Sequence, residues 1–292
     1  MTKEHEIAQK HIWLLFLYGV FAFFVFCIVL FPREEAVRQG LHFLSQKLNC
    51  TLSAKDLRVV FPGRLELKAL TITGKDSRAE AFPYLTIDTL QVRPKLSQLF
   101  FKKLAILFNL KLYQGTIEGV ANFDLLRPGH LQEFSCFGHG IRLAHLKHIR
   151  DALNVNMNGE LTGQANVKME KNDIQTLSGN YHFDVAPGDI QIMSFPGFTF
   201  QQIKGEGSLS QGRVKIQSMR IQGDDLQAMV TGDLQLRQNL ATSYLRARVN
   251  LNIGQEMKKK LGPLASFLPK QDKGGIQLNI KGNLNNLSFI PL

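Results

Sequence analysis

Residues 12–31, IWLLFLYGVFAFFVFCIVLF, form a run of 20 residues without a charge. At about 1.5 Å of helical rise per residue the run reaches about 30 Å, one bilayer hydrocarbon core. In that medium a single span must satisfy its own backbone hydrogen bonds, which only a helix does. A cleaved signal peptide would have a shorter apolar region, about 7–15 residues, ending in small residues. Here the run ends Leu30-Phe31-Pro32-Arg33, with no Ala-x-Ala pattern. An uncleaved transmembrane helix at 12–31 is therefore expected, behind a short tail at 1–11. No later stretch offers a second span. Lys3 and Lys10 precede the span while Arg33, Arg38 and Lys47 follow it, so the flanking charges do not set its orientation. Long domains translocate largely regardless of such charges.

The chain after the span carries the folded mass. Hydrophobic residues make up 44 % of the sequence and charged residues 20 %, enough apolar material for one or two packed domains. The 35 Lys+Arg against 24 Asp+Glu leave a net charge of +11, which favours acidic partners such as anionic lipid headgroups or nucleic acid. Three cysteines, Cys27, Cys50 and Cys136, are too few for a disulfide-stapled scaffold or a four-cysteine zinc site.

Residues 33–49 read as a helix, with Val37, Leu41, Leu44 and Leu48 on one stripe and Pro32 allowing a kink after the span. After Cys50 the hydrophobic period becomes two. Leu65, Leu67 and Ala69 alternate with Glu66 and Lys68; Leu85 and Ile87, then Leu90 and Val92, follow. The same period runs through Val155, Met157, Leu161, Ala165, Val167 and Met169, through Tyr181, Phe183 and Val185, and through Val214 and Ile216. It continues in Leu226, Ala228, Val230, Leu234 and Leu236, in Leu245, Ala247, Val249, Leu251 and Ile253, and in Ile276, Leu278 and Ile280. Turn signals separate the runs: Pro62-Gly63, Gly74-Lys75-Asp76, Lys171-Asn172-Asp173, Pro187-Gly188-Asp189, Gln211-Gly212 and Gly223-Asp224-Asp225. Strands so spaced predict antiparallel hairpins with one apolar and one polar face. Two short helices are expected to interrupt them, near 143–153 and near 255–268, the second broken by Pro263. A Gly-x-Leu signal recurs at Gly159, Gly207, Gly232 and Gly282, as expected of a repeated strand unit about one hairpin long.

Catalytic signatures are absent from the sequence. There is no G-x-S-x-G elbow, no phosphate-binding G-x-x-x-x-G-K-[ST], no complete dinucleotide loop and no H-E-x-x-H. Cys136, His139, His145 and His148 have spacings that could supply four metal ligands, but Arg142, Lys147 and Arg150 surround them with positive charge that repels a cation. Neither a metal nor a cofactor is expected. Cys50 and Cys136 are either two buried thiols or a disulfide, and spacing does not decide between them. Asn49-Cys50-Thr51 and Asn286-Leu287-Ser288 match a glycosylation sequon, which matters only in a eukaryotic secretory pathway. Lys258-Lys259-Lys260, with Lys270 and Lys273, reads as a solvated face or a contact for anionic headgroups. The basic stretches lack interleaved aromatics, so nucleic acid is not expected as a partner.

The order of features carries a resemblance. An N-terminal anchor and short helix lead into 57–67, LRVVFPGRLEL, then 83–92, PYLTIDTLQV, then Leu96-Ser97-Gln98-Leu99 and Gly115-Thr116-Ile117-Glu118-Gly119. This resembles the start of AsmA-like proteins. The Gly-x-Leu strands, Gly223-Asp224-Asp225-Leu226 and the closing Gly282-Asn283-Leu284 are similar to the type II secretion system protein N family, whose architecture is AsmA-like. In such proteins a proline often follows the closing Gly-x-Leu; here Asn285-Asn286 stand there and Pro291 comes later.

The resemblance implies a mainly β fold, a single N-terminal transmembrane helix followed by a periplasmic, curved antiparallel sheet with a few short helices. It divides the chain into an AsmA-like N-terminal β region at 32–130 and a C-terminal β-hairpin repeat region at 131–292. It implies an inner-membrane, single-pass, non-catalytic protein of the type II secretion system, with other inner-membrane components of that machine and membrane lipid as partners. The alternative it implies is an AsmA-like protein that binds or transfers lipid in the cell envelope. The residues placed on the apolar face are Val155, Met157, Val167, Met169, Leu234, Leu236, Val249 and Leu251. They form either an open groove or a packed core.

Overall fold

The computed structural model describes residues 33–47, 50–60, 63–74, 83–127, 130–146, 155–170, 173–192, 197–237, 242–262, 275–284 and 286–291. The expected span at 12–31 lies outside them. No helix among the described residues is long and apolar enough to cross a membrane. The chain forms two compact units, Met1–Leu52 and Ser53–Leu292.

In the first unit the expected helix is present as α1, Arg33–Lys47. Val37 and Leu41 of its stripe are half-buried, and Leu48 lies outside the described residues. Ser45 is buried because its Oγ accepts the Leu52 backbone N–H at 3.0 Å, tying the helix to the start of β1, Cys50–Ser53.

The second unit is an antiparallel meander. Its strands are β2 (Asp56–Val60), β3 (Arg64–Gly74), β4 (Pro83–Lys95), β5 (Lys103–Leu112), β6 (Gly115–Asp124), β7 (His130–Arg142), β8 (Val155–Met157) and β9 (Glu160–Met169). There follow β10 (Leu177–Val185), β11 (Gly188–Ile192), β12 (Phe198–Phe200), β13 (Gln202–Ser210), β14 (Arg213–Gln222), β15 (Leu226–Gln235), β16 (Tyr244–Ile253), β17 (Ile276–Asn283) and β18 (Asn286–Pro291). The large sheet runs in neighbour order β3-β4-β5-β6-β7-β9-β10-β13-β14-β15-β16-β17-β18, with β2 beside β3. Strand β7 pairs with β6 on one side and β9 on the other, so the sheet crosses the 130/131 position without a break. Strands β12-β11-β8 make a separate three-stranded sheet.

Hairpin chemistry accounts for the tight connections. Gln211 and Gly212 sit at φ +51° and +68°, and Tyr113 and Gln114 at +50° and +65°. Positive φ at both central residues is the turn geometry whose twist matches two paired strands. Glycine adopts it freely, whereas Tyr113 and Gln114 do so against the Cβ clash of the left-handed region.

Several expectations need correcting. The run 155–169 is not one strand: Gly159, at φ +139°, divides β8 from β9 and sends them to different sheets. Gly188 and Asp189 open β11 and do not form a turn. Of the helix expected near 143–153, the described residues show a 3₁₀ turn at Leu143–His145, and 147–153 lie outside them. The first part of the helix expected at 255–268 is present as α2, Gln255–Leu261, ending just before Pro263 where the break is expected, and 263–268 lie outside the described residues. Gly262 leaves the helix at φ +52° immediately before Pro263, whose ring disfavours a helical predecessor.

The apolar face of the sheet and its cover

Cross-strand register aligns the alternating residues into rows that cross most of the sheet. The inner row runs Ile141, Leu161, Val185, Ile203, Ile221, Ala228, Leu251, Ile276, each opposite the next. The outer row, nearer the other strand ends, runs Phe134, Val167, Gly179, Leu209, Val214, Leu234, Leu245, Gly282, Leu287. Both lie on the same face, since the positions are an even number apart along each strand or are realigned by a bulge.

The two rows differ in cover. In the inner row Ile141, Val185, Ile203, Ala228 and Ile276 are buried. The small sheet supplies part of this: Met157, Ile190, Phe198 and Phe200 pack with Val185, Leu161, Ile203 and Ile221. Helix α2 supplies the rest, with Met257 and Leu261 against Ile253, Ile276 and Leu251. Phe198 touches both clusters and bridges them. Every residue of the outer row is only half-buried. Burial therefore falls along each strand, from a capped end to an open apolar strip.

Aromatic rings on this face lie over glycines. A Cβ at Gly205 would strike the Phe183 ring, and one at Gly207 would come within 2.5 Å of the Tyr181 hydroxyl. Of the Gly-x-Leu glycines, Gly207, Gly232 and Gly282 fall on β13, β15 and β17, one per hairpin, as a repeat unit of two strands requires. Burial pushes the Tyr181 phenol and the Cys136 thiol above their ordinary pKa values, which marks the face as poorly solvated.

The candidate residues are divided by this geometry. Val249 is buried, between Val230 and Leu278, and Leu251 lies in the inner row. Val167 and Leu234 lie in the outer row. Met169, opposite Leu177, and Leu236, whose N–H bonds the Gly212 carbonyl at 2.8 Å, sit beyond it. Val155 and Met157 belong to the small sheet, and Met157 is part of the cover. The face is a packed core at one end and an open strip at the other.

The opposite face is polar, and cross-strand ion pairs lace it: Lys168 with Glu133 at 3.8 Å, Lys204 with Asp184 at 3.8 Å, and Arg246 with Asp233 at 3.2 Å. Exposed pairs like these contribute little stability, about 0–1 kcal/mol each, and keep the face solvated. Cys50 and Cys136 are free thiols. His139 accepts or donates a hydrogen bond with Thr162 at 3.3 Å, and His145 stacks on Tyr113 at 6.4 Å between ring centroids. Among the described residues no group of three or more metal-ligating side chains occurs, and His148 lies outside them. In comparison with known proteins, the chain matches no family model, no curated protein and no solved structure.

Proposed function

We propose that the chain is a membrane-anchored, non-catalytic component of a bacterial type II secretion system. In this reading it sits in the inner membrane by the 12–31 span, with the sheet in the periplasm, and assists export of folded proteins across the outer membrane. The order of sequence motifs supports the family. The observation that carries the role is the open outer row, an apolar strip continuous over nine strands on an otherwise packed sheet. An incompletely buried apolar surface of that extent suits docking of a partner. The test is deletion of the gene, followed by protein counts in medium and periplasm. Normally exported proteins should accumulate in the periplasm, with export restored by the native chain and not by Leu234→Asp. Unchanged export would overturn the reading.

A second reading is favoured by the composition of that strip. Its nine positions are Phe, Val, Leu and Gly, without one hydrogen-bonding side chain, which suits acyl chains better than a peptide backbone. Under this reading the protein binds or transfers envelope lipid. Phospholipid would co-purify with it, and the deletion would leave export intact while the outer membrane became leaky.

A further inference from the structure

The polar face carries an apolar island on β5 to β7. A trough of about 540 Å³ crosses β4 to β9 on that face, within the roughly 300–1,000 Å³ usual for small-molecule sites. Register places Arg93, Leu107 and Val120 side by side on β4, β5 and β6, with Phe137 of β7 diagonal to Val120. Leu107 is 36 % and Phe137 42 % exposed; other exposed apolar side chains of this face, such as Met229, Tyr244 and Ile290, stand on β15, β16 and β18, away from the trough. Arg64 of β3 joins Arg93 at one end of the trough.

The charges of this trough are not used internally. Arg64 and Arg93 have no ion-pair partner among the described residues, whereas Lys168, Lys204 and Arg246 on the same face are each paired. At the other end Glu118 stands directly opposite Phe137 and is likewise unpaired among the described residues. The trough is thus positive at one end, apolar in the middle, and negative beside its aromatic end. From β4 to β7 it spans three strand spacings, about 14 Å, the order of a medium-length acyl chain.

We propose that this trough binds a single-tailed anionic amphiphile. Arg64 and Arg93 hold its carboxylate or phosphate head, and the tail lies over Leu107 and Val120 towards Phe137. Arginine suits such heads because its planar fork donates two parallel hydrogen bonds to them. Glu118 opposes an anionic head at the Phe137 end, while Glu66, the carboxylate beside Arg64, is paired with Lys68 at 4.0 Å. The site is on the face opposite the open strip, so it neither depends on nor restates either reading above.

The test uses the full chain in nanodiscs of neutral phosphatidylcholine, with empty discs subtracted. Sodium octanoate, octan-1-ol and inorganic phosphate are titrated calorimetrically. One octanoate per chain is expected, at least about tenfold tighter than octanol, because charge-assisted hydrogen bonds separate the two. Phosphate alone should bind far more weakly than octanoate. Arg64→Gln with Arg93→Gln should bring octanoate down to the octanol level, Phe137→Ser should weaken both, and Leu234→Gln should change neither. Far-ultraviolet circular dichroism confirms that each variant is folded. Equal binding of octanoate and octanol to the native chain would overturn the proposal. So would phosphate binding as tightly as octanoate, which would make the site one for a free anion. Loss of octanoate in Leu234→Gln with none in the arginine variant would place the ligand on the other face and also overturn it.

Discussion

The ring of Phe108 lies over Gly119, its cross-strand partner: a Cβ at Gly119 would come within 2.6 Å of the Phe108 Cζ. Phe108 in turn stacks on Phe134, with ring centroids 5.4 Å apart. Gly119→Ala must therefore displace the ring and crowd the Ser135 carbonyl. A cost of about 1–3 kcal/mol is expected, as for other overpacked sites. Thermal melting by circular dichroism reads it, at about 2–4 °C per kcal/mol for a unit of this size. Adding Phe108→Leu should recover part of the loss, because the two residues share one contact. An unchanged melting temperature in Gly119→Ala would show that the ring does not occupy this space.

The burial gradient makes two neighbouring strands respond differently to the same charge. Val249 is 7 % exposed and its cluster includes Val230 and Ala247, while Leu234 is half-buried in the open row. Val249→Asp buries an unpaired carboxylate and should abolish cooperative melting. Leu234→Asp keeps its charge partly solvated and should melt cooperatively, within a few degrees of the native chain. Equal damage from both would mean that the outer row is packed as tightly as the inner one.

Phe200 is 2 % exposed, in the cluster where the small sheet caps the large one. Phe200→Ala removes a ring from that contact and should cost about 3–5 kcal/mol, the usual range for a buried aromatic. Hydrogen exchange should localise the effect to β8, β11 and β12 and the ends of β10 and β13. Uniform loss of protection over β3 to β6 would contradict a cap confined to the centre of the sheet.

Asp124 ends β6 with its Oδ1 accepting the Leu126 N–H and its Oδ2 the Arg127 Nε, each at 2.9 Å. The Leu126 N–H, then Arg127, hold its carboxyl below the ordinary 3.8. A carboxyl with a lower pKa folded than unfolded stabilises the fold above the ordinary value, and this contribution is lost as pH falls through the folded value. Asp124→Asn keeps an acceptor for Leu126 and removes the charge together with the acceptor that faces Arg127. Its melting temperature should lie below the native one at about pH 7 and converge with it at about pH 2. A gap of constant size across that range would assign the effect to shape and not to charge.

Much of the sheet is legible from residues such as Tyr181, Phe183 and Val185, whose alternation with His182 and Asp184 marks β10 outright. Strand β5 is hidden because Leu104, Ile106, Phe108 and Leu110 on one face are matched by Ala105 and Leu107 on the other, which erases the period. The division at Gly159 is hidden because both β8 and β9 keep the two-residue pattern; only the partner strands differ. Nothing local separates Leu234 from Leu251 either. Both are partly buried, and they differ in that Leu251 packs against the cluster of Met257 and Leu261, a contact made by a helix that the strand's own alternation does not reveal. The trough between Arg93 and Phe137 needs the register of four strands, which no single window of sequence carries.

In the large sheet each strand pairs with its predecessor in the chain, apart from the excursions of β8 and of β11-β12. Among the described residues no pairing joins β18 back to β3. Such a sheet is a linear polymer of hairpins whose length is not fixed by closure. Because two strands restore the starting direction and the starting face, gain or loss of a whole hairpin leaves every remaining row aligned. The reach of the apolar strip is then a quantity that duplication can lengthen or deletion can shorten, while the capped end stays where the small sheet and α2 hold it.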